Sequence, residues 1–254
     1  MDLGIKGRVA LVTGASSGIG RACALALAAE GVALAVAARR MPELKKVTEE
    51  ALQAGAPSAA AFEVDLTDLP SIGQMLRDVR DQLGPPEILV ANSGGPKPGK
   101  FLQTSHEDWD TAYRGVFQSM ISLVNGVVPE MRARKWGRIV LLASSSVKTP
   151  IPTLVLSNAF RTALVSAMKT LSVEVASDGV TVNTIATGRI ATDRLRQLYK
   201  TDDEWERAAQ EVPMKRIASP NEFAPAIAFL SSQPASYITG QTLAVDGGLI
   251  DSLL

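Results

Sequence analysis

One stretch constrains this chain more than any other: Val12-Thr13-Gly14-Ala15-Ser16-Ser17-Gly18-Ile19-Gly20. The apolar run Val9 to Val12 leads into it and reads as a buried parallel strand. Arg21 to Glu30, rich in Ala and Leu, comes after it and reads as a helix. Strand, glycine turn and helix are the setting a dinucleotide fingerprint requires. In that setting Gly14 permits the tight turn, Gly18 lets backbone approach a diphosphate, and Gly20 lets the helix pack hard on the strand. The N–H groups and positive dipole end of the helix then face the anion. The plainer alternative is a glycine-rich connection without a ligand.

The rest of the chain repeats the same unit. Val32 to Ala38, Ala59 to Val64, Ile88 to Val90, Arg138 to Leu142, Val180 to Ile185 and Thr242 to Asp246 read as further strands. Between them lie helical patterns. Leu44, Val47, Ala51 and Leu52 come after Pro42 and stop at Gly55. A helix that Asp68 can cap ends near Gly84. Ser105 and Asp108 form a capping-box pattern for a long helix to about Lys135. A second long helix runs from about Ser157 to Ser177, and Ser219-Pro220-Asn221-Glu222 opens a later one. The alternation implies a doubly wound, Rossmann-type α/β fold in a single domain, residues 1–254.

Composition excludes several classes. With 26 basic and 26 acidic residues, the formal net charge of +0 gives no reason to expect nucleic acid or a membrane surface. Cys23 is the one cysteine, so no disulfide framework exists, and it reads as a small buried residue. No apolar run reaches transmembrane length, and the opening residues lack a basic and apolar leader, so a cytoplasmic protein is expected. No set of His, Cys and carboxylates has metal spacing.

Cofactor choice is readable at the end of the second strand. An acidic residue there would hold the adenosine ribose. Ala38 stands in its place, with Arg39 and Arg40 next in the chain. Arginine binds a 2′-phosphate bidentately where a carboxylate would repel it, so NADP(H) is expected. The alternative is a solvated basic loop.

The order Thr13, Gly14, Gly18, Gly20 resembles the cofactor loop of the short-chain dehydrogenase/reductase family. So do the Asp65-Leu66-Thr67 turn, Asn92-Ser93-Gly94, Val180-Thr181-Val182-Asn183, and Tyr237-Ile238-Thr239-Gly240-Gln241 with Asp246-Gly247-Gly248. Within the family the chain looks most like 3-oxoacyl-acyl-carrier-protein reductases. The resemblance implies cofactor contacts from Gly14, Ser16, Ser17, Gly18, Ile19, Gly20, Arg39, Arg40, Asp65, Leu66, Asn92, Gly94, Arg161, Ile190 and Thr192. Asp65 would reach the adenine amino group, or serve as a plain turn former. Ile190 and Thr192 would meet the carboxamide. A carbonyl, alcohol or acyl-thioester substrate is implied, as is a homo-oligomer assembled through the two long helices. Ala159, Ala163, Ala167 and Val173 give the second of these a face for close packing.

The family's catalytic set is a serine, a tyrosine about thirteen residues on, a lysine four further, and an asparagine from the preceding long helix. Here Ser144 holds the serine's place, Ser157 the tyrosine's, Arg161 the lysine's and Val116 the asparagine's. A phenol titrates near ~10 and a neighbouring cation can pull it lower. A serine hydroxyl is a far poorer acid. Arg161 keeps the charge but does not pass a proton. Val116 cannot hold a relay water. Two expectations result: a reductase with weak or modified turnover, or a non-catalytic NADP(H)-binding sensor or subunit. Tyr113, one turn before Val116, and Lys148 are the nearest substitutes for the missing acid, though each reads more simply as structural. His106 reads as surface. Asp193 to Met214 reads as a charged cover that Tyr199 and Trp205 can line, or as ordinary surface-helix packing.

Overall fold

The computed structural model describes residues 1–253. Seven parallel strands form one sheet in the order β3-β2-β1-β4-β5-β6-β7. They are β1 Val9–Thr13, β2 Ala33–Ala38, β3 Ala59–Glu63, β4 Ile88–Ala91, β5 Gly137–Leu142, β6 Val180–Thr187 and β7 Thr242–Val245. Helices α1 Gly18–Ala29, α2 Met41–Ala54 and α9 Pro220–Leu230 belong to the connections, as do α3 Leu69–Leu83 and α6 Val155–Val175.

The strands are apolar throughout because both faces of the sheet are covered. Ala10 and Val12 of β1 enter one core with Leu27, Val36, Val90, Phe223 and Ile227. Leu11, between them, enters the other with Val79, Leu89, Leu123 and Leu164. All three β1 residues are fully buried. Each large apolar side chain so placed contributes roughly 1.5–3 kcal/mol. Val12 pairs with Val36 on one side and with Val90 on the other. The chain reverses its winding direction at this point, so a crevice opens at the carboxyl ends of β1 and β4.

The helix that opens at Ser105 is capped as its sequence predicts: the Asp108 backbone N–H donates to Ser105 Oγ at 3.1 Å, and the Ser105 N–H donates to Asp108 Oδ2 at 3.2 Å. It does not run unbroken to Lys135. An α-helical segment, α4 His106–Ala112, passes into a π-helical turn over Tyr113–Gln118 before α5 Ser119–Ala133. The Ser119 hydroxyl donates to the Gly115 carbonyl at 2.8 Å across this turn. A π turn inserts one residue, so it rotates α5 relative to α4. Tyr113 and Val116 therefore do not share a face. Val116 turns inward and is 2% exposed, whereas Tyr113 is 41% exposed and stacks on Phe117. Asp68 stands at the N-cap of α3 but makes no side-chain cap hydrogen bond, against the sequence expectation. Among the described residues no helix is long and apolar enough to cross a membrane.

Candidate active site

The crevice is a cleft of about 800 Å³. Its floor is tied together by Thr13. The Thr13 hydroxyl donates to the Asn92 carbonyl at 2.7 Å and accepts the Asn92 backbone N–H at 2.9 Å, joining the ends of β1 and β4. Gly14 has a φ of +61°, and a Cβ there would stand 2.6 Å from the Asn92 amide nitrogen. A Cβ on Gly20 would drive into the Gly14 carbonyl, so the helix packs against the loop as the fingerprint requires. Gly94 opens onto free space in the cleft.

At the adenosine end, Ser17 is the N-cap of α1 but gives it no side-chain cap hydrogen bond. The first N–H groups of the helix are left for another acceptor. Arg40 Nη2 donates to the hydroxyls of Ser16 and Ser17 at 3.1 and 3.0 Å. Arg40 thus sits directly over the loop, with Arg39 and Ala38 beside it in the cleft wall. Asp65 accepts from the Thr67 backbone N–H at 2.9 Å and from the Thr67 hydroxyl at 2.8 Å, so the turn-forming role is present. These bonds hold its carboxyl below the usual range, and the Arg39 charge adds a smaller pull. Asp65 and Leu66 also line the cleft, so the turn places them at the same site.

At the other end the structure brings together Ser144, Ser157, Arg161 and Val116. Ser144 stands just after β5, and its hydroxyl accepts the Ser146 N–H at 3.1 Å. Ser157 lies in the first turn of α6, and one turn later Arg161 is 8% exposed. Arg161 Nη1 donates to the Leu142 carbonyl at 2.8 Å, while Nη2 reaches the Ser93 and Gly94 carbonyls only at 3.5 Å. Burial, and then the nearby Arg194 charge, push the Arg161 guanidinium down to about 10, so it stays protonated at neutral pH. No carboxylate pairs with it among the described residues.

Ile190 and Thr192 line the cleft in the segment after β6, and Thr192 packs against Gly18. The cover beyond them is α7 Asp193–Leu198 and α8 Asp202–Glu211. Tyr199 and Trp205 do not line the cleft. They lie under the guanidinium groups of Arg189 and Arg196, at 5.4 and 4.2 Å. The wall is built instead from Arg194, Leu195, Gln197 and Leu198. Tyr113 and Lys148 are also outside it, and exposed His106 stands at the start of α4. Cys23 is buried in the core, where burial pushes its thiol up to about 12. Among the described residues no His, Tyr or Cys lines the cleft. Asp108 does, but both its oxygens accept from Lys97 at 3.0 Å, which keeps it ionised. Sequence reasoning missed Arg194, the Lys97–Asp108 pair and the role of Ser93.

A parallel sheet with a glycine cradle at its switch point defines a nucleotide-binding α/β protein. Comparison with known proteins narrows that class. A family model described as enoyl-(acyl carrier protein) reductase matches residues 14–250. The 3-oxoacyl-[acyl-carrier-protein] reductase FabG of Escherichia coli is 34% identical over 247 residues, covering 97% of this chain and 99% of its own. NADPH-dependent reductase BacG of Bacillus subtilis is 31% identical over 257 residues, covering 97% and 99%. The crystal structure of L-sorbose reductase from Gluconobacter frateurii, complexed with NADPH and L-sorbose, superposes with a TM-score of 0.94 at 32% identity and covers all of both chains. The chain belongs to the short-chain dehydrogenase/reductase family, a family of NAD(P)-dependent reductases.

Proposed function

We propose that this chain binds NADP(H) in the cleft and acts on a carbonyl or acyl-thioester compound there, with turnover limited by the lack of a proton donor. The observation that carries the cofactor choice is the arginine pair after Ala38. Arg40 bridges Ser16 and Ser17 over the loop, and Arg39 stands beside it. Two guanidinium groups there suit a 2′-phosphate; Ala38 puts no carboxylate at the strand end itself, and the nearby Glu43 is paired with Arg40 at 3.5 Å. The uncapped N-terminus of α1 suits the diphosphate. Arg161, under Gly94, is placed for the nicotinamide ribose, and Ile190 and Thr192 for the carboxamide. Asp65 and Leu66 are placed for the adenine.

Bound in this way, the cofactor supplies a hydride. The protein's own contribution is position and charge. Ser144 offers a hydroxyl to polarise a carbonyl oxygen, and Arg161 holds a fixed positive charge beneath the site. Neither Ser157 nor Arg161 passes a proton at neutral pH, so general acid catalysis, worth roughly 10²–10⁴ in rate, is missing. That same absence favours a second reading, a non-catalytic NADP(H)-binding sensor or subunit. The test is calorimetric titration with NADPH and NADH, and then NADPH oxidation with a 3-oxoacyl thioester. Tighter NADPH binding that Arg40→Ala reduces to the NADH level supports the assignment. Equal or tighter NADH binding refutes it. Bound NADPH that no carbonyl compound oxidises favours the second reading.

We also infer a homo-oligomer. Ala159 and Ala163 of α6 are exposed and Val173 is 74% exposed, whereas Ala167 is half-buried against the core, so most of this face is free in the monomer. A cytoplasmic location fits the balanced charge and the single buried cysteine.

A further inference from the structure

The carbonyl end of the cleft sets three cations against two carboxylates, Asp108 and the exposed Asp193. Three cations approach it: Lys97, Arg161 and Arg194. Lys97 is paired with Asp108. The other two form no ion pair among the described residues. A guanidinium carries five donors. Arg161 makes one short bond, to the Leu142 carbonyl, and two long ones at 3.5 Å. Arg194 donates to the Pro96 carbonyl at 2.6 Å and lies over Gly95, where a Cβ would come within 2.5 Å of its Nε. The two arginines border one short stretch of chain, Arg161 Nη2 reaching the Ser93 and Gly94 carbonyls and Arg194 Nη2 the Pro96 carbonyl. Beside them Ser93 lines the cleft as a buried residue, 8% exposed, with its hydroxyl oxygen enclosed rather than open to the cleft.

Two like charges at one cleft are costly to fold unless an anion completes them. The cofactor's diphosphate has its own place, at Gly18 and the start of α1, with Thr192 against it. Arg194, two residues on, turns the other way, over Gly95. Ser157 widens the same space, because its side chain is short where a ring would otherwise fill the cleft.

We infer that Arg194, with the Arg161 donors that the nicotinamide ribose does not take, forms a carboxylate site next to Ser144, so that the substrate is a carbonyl compound bearing a carboxylate a few bonds from its reacting carbon. The planar fork of arginine matches a carboxylate with two parallel N–H···O bonds. The inference deepens the proposed function and rests on the cofactor occupying the loop end of the cleft.

The test uses the whole chain saturated with NADP⁺ and two probes that differ in charge alone, 4-oxohexanoate and 4-oxohexanamide. Calorimetry should show the carboxylate binding about tenfold or more tightly, as expected for charge-assisted hydrogen bonds in a buried site. Arg194→Met should remove most of that preference while NADPH affinity, tracked by its fluorescence, stays as in the parent. Arg194 is the variant of choice because it is half-buried, whereas Arg161→Met removes a fully enclosed side chain and needs a melting curve beside it. Equal binding of the two probes, or no binding of either, overturns the inference. A preference that survives Arg194→Met also overturns it, as does inorganic phosphate binding as tightly as the oxo acid. If Arg194→Met weakens NADPH to the same degree, the arginine serves the cofactor and the inference is wrong. Should NADP⁺ itself fail to bind, the proposed function falls. The carboxylate preference is then read on the free protein, where its presence keeps the anion site and its absence removes it.

Discussion

Restoring the family's proton-transfer set is the sharpest test of the altered site. The perturbation is the triple change Val116→Asn, Ser157→Tyr and Arg161→Lys. Each position already faces the cleft. A general acid of matched pKa is worth roughly 10²–10⁴ in rate, or about 3–5 kcal/mol of barrier at 1.36 kcal/mol per tenfold. Costs act against this. Arg161→Lys gives up the bond to the Leu142 carbonyl, and a hydrogen bond from a charged donor is worth roughly 1.5–3 kcal/mol. Val116 is 2% exposed, so an amide there must find partners or lose about 1–3 kcal/mol. The tyrosine ring borders open cleft rather than closed core, so its overpacking cost should sit at the low end of about 1–3 kcal/mol. These are mainly costs in stability, about 2–4 °C of melting temperature per kcal/mol at this size. The gain is in turnover. The triple variant should therefore oxidise NADPH with a 3-oxoacyl thioester about a hundredfold faster than the parent, while melting several degrees lower. Single changes should do little, because groups that act as a unit are non-additive. Brisk turnover by the parent, in the ordinary range of roughly 1–10³ per second, would refute the reasoning. The proton would then come from a group other than Tyr113, which the π turn carries out of the cleft.

Packing sets two further outcomes. Gly20→Ala places a Cβ against the Gly14 carbonyl and 3.1 Å from Ala15 Cα, so the loop must shift, and NADPH binding should weaken by about 1–3 kcal/mol; unchanged affinity in a titration would mean the loop is not the cradle. Ala163→Glu puts a charge on the exposed face of α6 and should halve the particle mass, or reduce it further, by light scattering, with melting of the monomer changed by no more than about 0.5 kcal/mol; a parent that is already monomeric at micromolar concentration ends the oligomer proposal.

Much of the architecture was legible because its causes are local or periodic. Strands buried on both faces show as unbroken apolar runs, and β1 is the plainest case, with Leu11 facing one core and its neighbours the other. The box at Ser105 and Asp108 needs only two side chains at the right spacing. The π turn was not legible. Its sequence, Tyr113 to Gln118, is compatible with an ordinary helix, and only the assembled site shows the extra residue. Assigning Tyr113 and Val116 to one face failed for that reason. For Tyr199 and Trp205 the packing alternative holds, and the sequence left it open because aromaticity does not say which side of a short polar helix faces the cleft. Here nearby arginines hold both rings in cation–π contact. Arg194 escaped notice among many charged neighbours. The one available signal lay about a hundred residues away, in Gly95, whose missing side chain leaves room for its guanidinium.

The replaced residues are best understood together. Losing the tyrosine alone would leave a lysine with a single charge centre and a hole above it. Here the cation is an arginine, and one arm of its fork is held by the Leu142 carbonyl. The other arm reaches the Ser93 and Gly94 carbonyls only at 3.5 Å, so its donors are weakly engaged and left for a ligand. The serine at position 157 supplies the volume that such donors need if a substrate group is to reach them. Val116, buried at the π turn and lining the cleft, offers no polar atom to hold a relay water. The changes that remove a proton path are thus the same changes that leave room for an anion and aim donors at it. A substrate held by its carboxylate close to the hydride source gains rate from orientation, which can reach roughly 7–11 kcal/mol in favourable geometries. Positioning of that size is enough to offset a missing acid, and it would do so only for substrates that carry the negative charge.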